Sequence, residues 1–205
     1  MNTARLKAAE AQFLHQHPKG FDDPSLEAVV KRHSKANLSE FAQAHFAQDS
    51  AATDAEIVAA MVKLVSRSSM VSMFEKPKFR DFCRQLDTLQ TGFLADALMS
   101  YLHDDQEAGF DAMLSLLETQ KLAKWSLMTI IPAYYAPQRE VFVKPTTAKG
   151  VISYLALEKL VYKPRPSWAF YTAYRDWVNS AKQLVDPSLS PSNAAFTGFL
   201  MMSIS

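Results

Sequence analysis

Apolar residues recur three and four apart along most of the chain, and strict two-residue alternation is almost absent. That periodicity predicts helices and not strands. A first helix is expected over 3–16, with Leu6, Ala9, Phe13 and Leu14 on one side and Pro18 and Gly20 as stop signals. Asp23-Pro24 opens a second, because aspartate caps free N–H groups and proline suits the first turn. Leu26, Val29 and Val30 form its apolar face. A third starts near Ser39, with Phe41, Ala42, His45 and Phe46 on one side. Thr53 and Glu56 make a capping box for the next, which carries Ile57, Met61, Leu64 and Val65. After a break around 66–73, helices are expected from Lys76 (Phe79, Phe82, Cys83, Leu86), over 90–102, and from Asp105 to Leu122.

The texture changes near residue 123, beyond which seven of the ten prolines lie. Trp125 to Tyr135 reads as a buried helix ended or kinked at Pro132. Residues 140–143 read as briefly extended, Thr147 to Leu157 as helical, and Lys163-Pro164-Arg165-Pro166 as a stiff linker. Ser167 caps a helix running to about Val185, and Ser190-Pro191 opens the last one, with Phe196, Phe199, Leu200 and Met201. The expected fold is all-α: about eight to ten helices in one irregular bundle, with at most one very short strand pair. A subdomain boundary at 120–123 is the alternative to a single unit, but no flexible linker marks it.

Composition sharpens this only a little. Of 205 residues, 48% are hydrophobic and five are glycine, which suits a folded helical domain large enough to need no disulfide or metal. The single cysteine, Cys83, cannot form an internal disulfide. With no apolar leader and no long apolar run, a cytoplasmic protein off the membrane is expected. Charge is uneven: residues 1–120 hold 12 Lys and Arg against 17 Asp and Glu, while residues 121–205 hold 10 against 4. Such asymmetry either directs the basic half to an anionic partner or is offset by packing the halves together.

Chemical motifs are scarce. There is no G-x-S-x-G, no G-x-G-x-x-G and no phosphate loop. His15, His17, His33, His45 and His103 lack metal-ligand spacing, so surface or capping roles are expected and no metal or cofactor is implied. Asp104, Asp105 and Glu107 fit a helix N-terminus better than a cation site. Cys83 sits between Arg80 and Arg84, yet shares an apolar face with Phe79 and Leu86, so burial is the simpler reading.

The most suggestive stretch is Lys159 to Trp177, where basic and aromatic residues interleave. Phe170, Tyr174, Trp177, Ala181 and Leu184 share one helix face, expected in the core. Trp168, Tyr171 and Arg175 lie on another, preceded by Lys163 and Arg165. Either that second face stacks on bases and neutralises phosphates, or the helix is buried on both sides. Arg139, Lys144 and Lys149 extend the basic set, and Thr146 or Thr147 is placed to cap the helix after Pro145.

Residues 125–147, WSLMTIIPAYYAPQREVFVKPTT, and 162–171, YKPRPSWAFY, carry a resemblance. They resemble an uncharacterised bacterial protein family with a W-x3-T-x2-P-A, F-x-K-P-T and P-x-W-x2-Y signature. More distantly, the pattern is similar to helical modules that accompany prokaryotic restriction and defence proteins. No nuclease carboxylate-lysine motif appears, so the resemblance implies no catalytic residue.

Three functions remain open on these residues. The first is nucleic-acid or other anion binding through Arg139, Lys144, Lys149, Lys163, Arg165, Trp168, Tyr171 and Arg175. The second is a helical interaction or self-assembly module using Phe199, Met201 and Met202. The third is an enzyme whose pocket gathers Tyr134, Arg139, Lys144, Tyr171 and Arg175.

Overall fold

Local side-chain chemistry starts most of the helices. Asn2, Asn37, Thr53, Asp87, Asp105, Ser167 and Ser192 each accept a backbone N–H from the first turn they precede. Thr53 with Glu56 and Asp87 with Gln90 form complete capping boxes. The computed structural model describes residues 1–34 and 37–204, without the side chains of 32–34; the His33 side chain thus lies outside the described residues. Its helices are α1 (Thr3–Gln16), α2 (Glu27–Ser34), α3 (Leu38–His45), α4 (Asp54–Arg67), α5 (Glu75–Gln85), α6 (Thr88–His103), α7 (Gln106–Glu118), α8 (Trp125–Tyr135), α9 (Pro145–Tyr154), α10 (Trp168–Ala181) and α11 (Asn193–Ser203). Single 3-10 turns occur at Gly20–Asp22, Pro24–Leu26, Lys182–Leu184 and Pro187–Leu189. Among the described residues there is no strand; the fold is an all-α multi-helix bundle, and no described helix is long and apolar enough to cross a membrane.

α8 is the axis of the bundle. Every residue from Trp125 to Tyr134 is buried, as expected of a helix that is apolar on all sides. α3, α4 and α7 pack against it. Pro132 removes one helical N–H. One turn earlier, the Thr129 hydroxyl donates to the Trp125 carbonyl at 2.7 Å and accepts the Val143 N–H at 3.0 Å. That bond takes the place of a strand partner for the 140–143 segment, so the expected extended residues pair with a helix side chain and not with a second strand.

α6 and α7 form a close antiparallel pair. Gly109 makes this possible: a Cβ there would lie 2.2 Å from the Tyr101 backbone nitrogen and 2.7 Å from the Ala97 carbonyl oxygen. α7 ends a turn short of the expected Leu122, closed by Lys121 in the left-handed region (φ 58°). At the other end of the molecule α1 lies on α11, and α9 packs on α11 too. The Asn2 N–H and the Arg5 guanidinium bond to the carbonyls of Leu155 and Tyr154, both at 2.8 Å. The N-terminal helix is therefore built into the C-terminal half.

Several expected positions shift. α9 begins at Pro145 with Lys144 before it, and neither Thr146 nor Thr147 caps it. α11 is capped by Ser192, after the Ser190-Pro191 step. Val29 and Val30, expected on an apolar face, are more than a third exposed (39% and 38%). Leu184 is exposed, because the chain tightens to a 3-10 turn after Ala181 and rotates it off the face that Phe170 and Tyr174 occupy.

Candidate functional site

Two features stand out in the C-terminal half: a buried polar cluster on Glu140 and an exposed group of cations around Tyr162. The segment 136–144 leaves α8 and is gripped by α10 and α11. Its Glu140 is 1% exposed, and a carboxylate at that depth needs partners. The Tyr171 hydroxyl donates to Oε2 at 2.7 Å. Arg175 donates to Oε2 at 3.0 Å and to Oε1 at 3.1 Å, and the Arg139 Nε reaches Oε1 at 2.9 Å. Asn193, fully buried at the start of α11, donates to the Glu140 carbonyl at 3.1 Å.

Helix geometry sets this arrangement. Tyr171 and Arg175 are four apart on α10, so both point at Glu140. The Arg175 guanidinium lies 5.5 Å from the ring centres of both Trp168 and Tyr171, a cation–π placement. Burial works against its charge, but Glu140 outweighs that and holds the guanidinium above its ordinary pKa. Burial, reinforced by the Glu140 charge, holds Tyr171 well above the usual tyrosine range. Tyr101 is also pushed well above it by burial, and its fully buried hydroxyl has no hydrogen-bond partner among the described residues. Tyr101, Phe110, Trp168 and Tyr171 pack ring against ring at 5.5 to 6.0 Å.

The second face of α10 is thus buried, as its first face is. Tyr171 is fully enclosed and stacks on Phe110, so no base reaches its ring. Arg175, with a side chain only 14% exposed, is committed to Glu140. Trp168 is half-buried, edge-on to Tyr101. Arg165 is exposed but grips Glu118 through two bonds of 2.6 and 3.1 Å. These bonds lower the Glu118 pKa and raise that of Arg165. Arg139 is outward-facing apart from its bond to Glu140.

Lys144, Lys149 and Lys163 are exposed and have no carboxylate partner among the described residues. Lys144 reaches only the Met201 sulfur at 3.8 Å. The Lys149 ammonium lies 5.9 Å from the Tyr162 ring centre. The Trp125 indole N–H donates to the Lys163 carbonyl at 2.8 Å, with Tyr162 against Trp125 at 6.4 Å, so the start of α8, which Lys124 precedes, docks on the segment that carries Lys163. The Arg165–Glu118 bond ties the end of α7, which Lys121 follows by three residues, to the 163–166 stretch. Lys121 and Lys124 are also exposed and without a carboxylate partner among the described residues.

The other expected constellations disperse. Tyr134 turns to Ser68 (3.2 Å) and Lys144 to Met201, so neither joins Arg139, Tyr171 and Arg175 in a pocket. Phe199 is fully buried against Phe13 and Phe196, while Met201 and Met202 are exposed near the end of α11. Asp105 caps α7. His17 meets the Ser25 hydroxyl, while His45 and His103 contact backbone oxygens. Cys83 is buried, and burial pushes its thiol up to about 12. Glu140 was not visible as a site residue. Its one sequence signal is a charge set directly before the apolar run Val141-Phe142-Val143. Lys182 and Asn193 had none. No known protein family, no curated protein and no solved structure matches the chain.

Proposed function

We propose that the protein is a non-enzymatic binding protein that takes single-stranded or loosely paired nucleic acid on the face around Tyr162. The observation that carries this reading is the exposed Lys149 ammonium 5.9 Å from the centre of the half-buried Tyr162 ring, with exposed Lys163 next to that ring in sequence and no carboxylate partner for either lysine among the described residues; exposed Lys121 and Lys124 lie on the segment whose Trp125 bonds to the Lys163 carbonyl. Unpaired cations suit a phosphate backbone, and an aromatic edge suits an unstacked base. The Glu140 cluster is the scaffold of that face: it fixes the segment between α8 and α9, and hence the position of Lys144 and Lys149.

Fluorescence anisotropy with short single- and double-stranded DNA and RNA, at low and physiological salt, tests this. Binding should weaken with salt, and Lys149→Glu with Lys163→Glu should flatten the log–log salt slope on single strands by about 1.4, roughly 0.7 for each phosphate no longer neutralised. Absence of binding even at low salt, or binding untouched by the two substitutions, removes the reading.

A further inference from the structure

A second cation in the C-terminal half behaves differently from the surface lysines. Lys182 begins the 3-10 turn after α10 and is only 9% exposed. Its ammonium donates to the Gln138 carbonyl at 2.5 Å and to the Asn193 Oδ1 at 2.7 Å. Both acceptors are neutral. The acids on the surrounding segments are engaged elsewhere: Glu140 with Arg175, Arg139 and Tyr171, Asp186 with Ser188, and Glu10 with Lys7 and the Asp186 N–H. Among the described residues no carboxylate comes within ion-pair distance of Lys182. A sheltered charge without a counter-charge is unfavourable, and an ammonium has three N–H donors, of which two are used here. Burial lowers the Lys182 pKa, the direction expected of a cation without an anion beside it.

Lys182 also lines an open depression of about 480 Å³, together with Gln138, Gln183, Val185, Pro187 and Ser190. We propose that this depression is a binding site for a small monocarboxylate, whose carboxylate completes the charge of Lys182. One uncompensated cation matches one negative charge; a phosphate dianion would call for a second. The Gln183 amide can donate to a carboxylate, the Ser190 hydroxyl already donates to the Lys182 carbonyl and so shapes the wall, and Val185 and Pro187 offer apolar surface to a short carbon chain. The acceptors Gln138 and Asn193 hold the ammonium in place before the ligand arrives. Asn193 also bonds to the Glu140 carbonyl and to Asn179, so occupancy would brace the junction of α8, α10 and α11.

The test is a chemical-shift titration of the full chain with butyrate, using butyramide as the uncharged control and inorganic phosphate as the dianion. Butyrate should shift the backbone amides of Gln183 and Ser190 at millimolar concentration. Lys182→Met should weaken it about ten- to a hundredfold, the worth of a charge-assisted hydrogen bond. Lys182→Met also removes the clamp on Gln138 and Asn193, so Gln183→Glu is the decisive variant. It puts a carboxylate at an exposed lining position, leaves the clamp intact, and should abolish the butyrate shifts. No shift with butyrate, equal shifts with butyramide, phosphate binding as tightly as butyrate, or butyrate binding unchanged in Gln183→Glu would each overturn the assignment. None of these results depends on nucleic-acid binding at Tyr162.

Discussion

Removing Glu140 should cost more stability than removing any exposed charge. Glu140→Ala deletes the acceptor of three side chains. Arg139 is largely exposed and can turn to water, so its release counts for little. Arg175 and Tyr171 cannot follow: the first is largely buried against two rings and the second is fully enclosed. Stranding one partner of a buried ion pair costs about 3–5 kcal/mol. The remaining exposure of Arg175 lets some water in, which favours the lower end, about 3 kcal/mol. For a chain of this size that lowers the melting temperature by roughly 10 °C. Urea unfolding of Glu140→Ala, Arg175→Met and the double variant measures it directly. The double variant should be less destabilised than the sum of the singles by about 2 kcal/mol, because it leaves no unpaired charge inside. A cost for Glu140→Ala below about 1 kcal/mol, with the singles adding to within about 0.3 kcal/mol, would refute the account of Glu140 as the fastening of the α8–α9 segment.

Two further outcomes follow from the packing. Gly109→Ala drives a methyl group into the backbone of α6, and neither helix can yield locally, so a destabilisation of about 3 kcal/mol is expected in thermal or urea unfolding. A tolerated alanine would mean that α6 and α7 are not held this close. Cys83, buried and with its thiol pushed up to about 12, should resist iodoacetamide at pH 8 in the folded chain and react once urea unfolds it. Rapid alkylation of the folded protein would show that α5 opens on its own.

The local beginnings and ends of helices were legible because their causes lie within a few residues. Thr53 and Glu56 need only each other, and Ser167 needs only the N–H of Phe170. The all-apolar stretch from Trp125 announced a buried helix for the same reason: burial on every side is written in its own residues. Helix α10 shows where this stops. Its spacing separates two aromatic faces correctly, but spacing does not say what lies opposite each face. Tyr171 meets Phe110 on α7 and Glu140 in the segment before α9, and Arg175 takes the same carboxylate. Those partners are 31 to 61 residues away along the chain.

The helical class, most caps and the cation surplus beyond residue 120 are written in the order of residues along the chain. Which of those cations find partners within the molecule depends on how the helices come together. Arg175 and Arg165 meet Glu140 and Glu118, and Lys182 is drawn inward onto neutral oxygens. Lys149 and Lys163 stay in water. Propensity and capping act over one helical turn, whereas desolvation and charge pairing depend on which distant segments the core brings together.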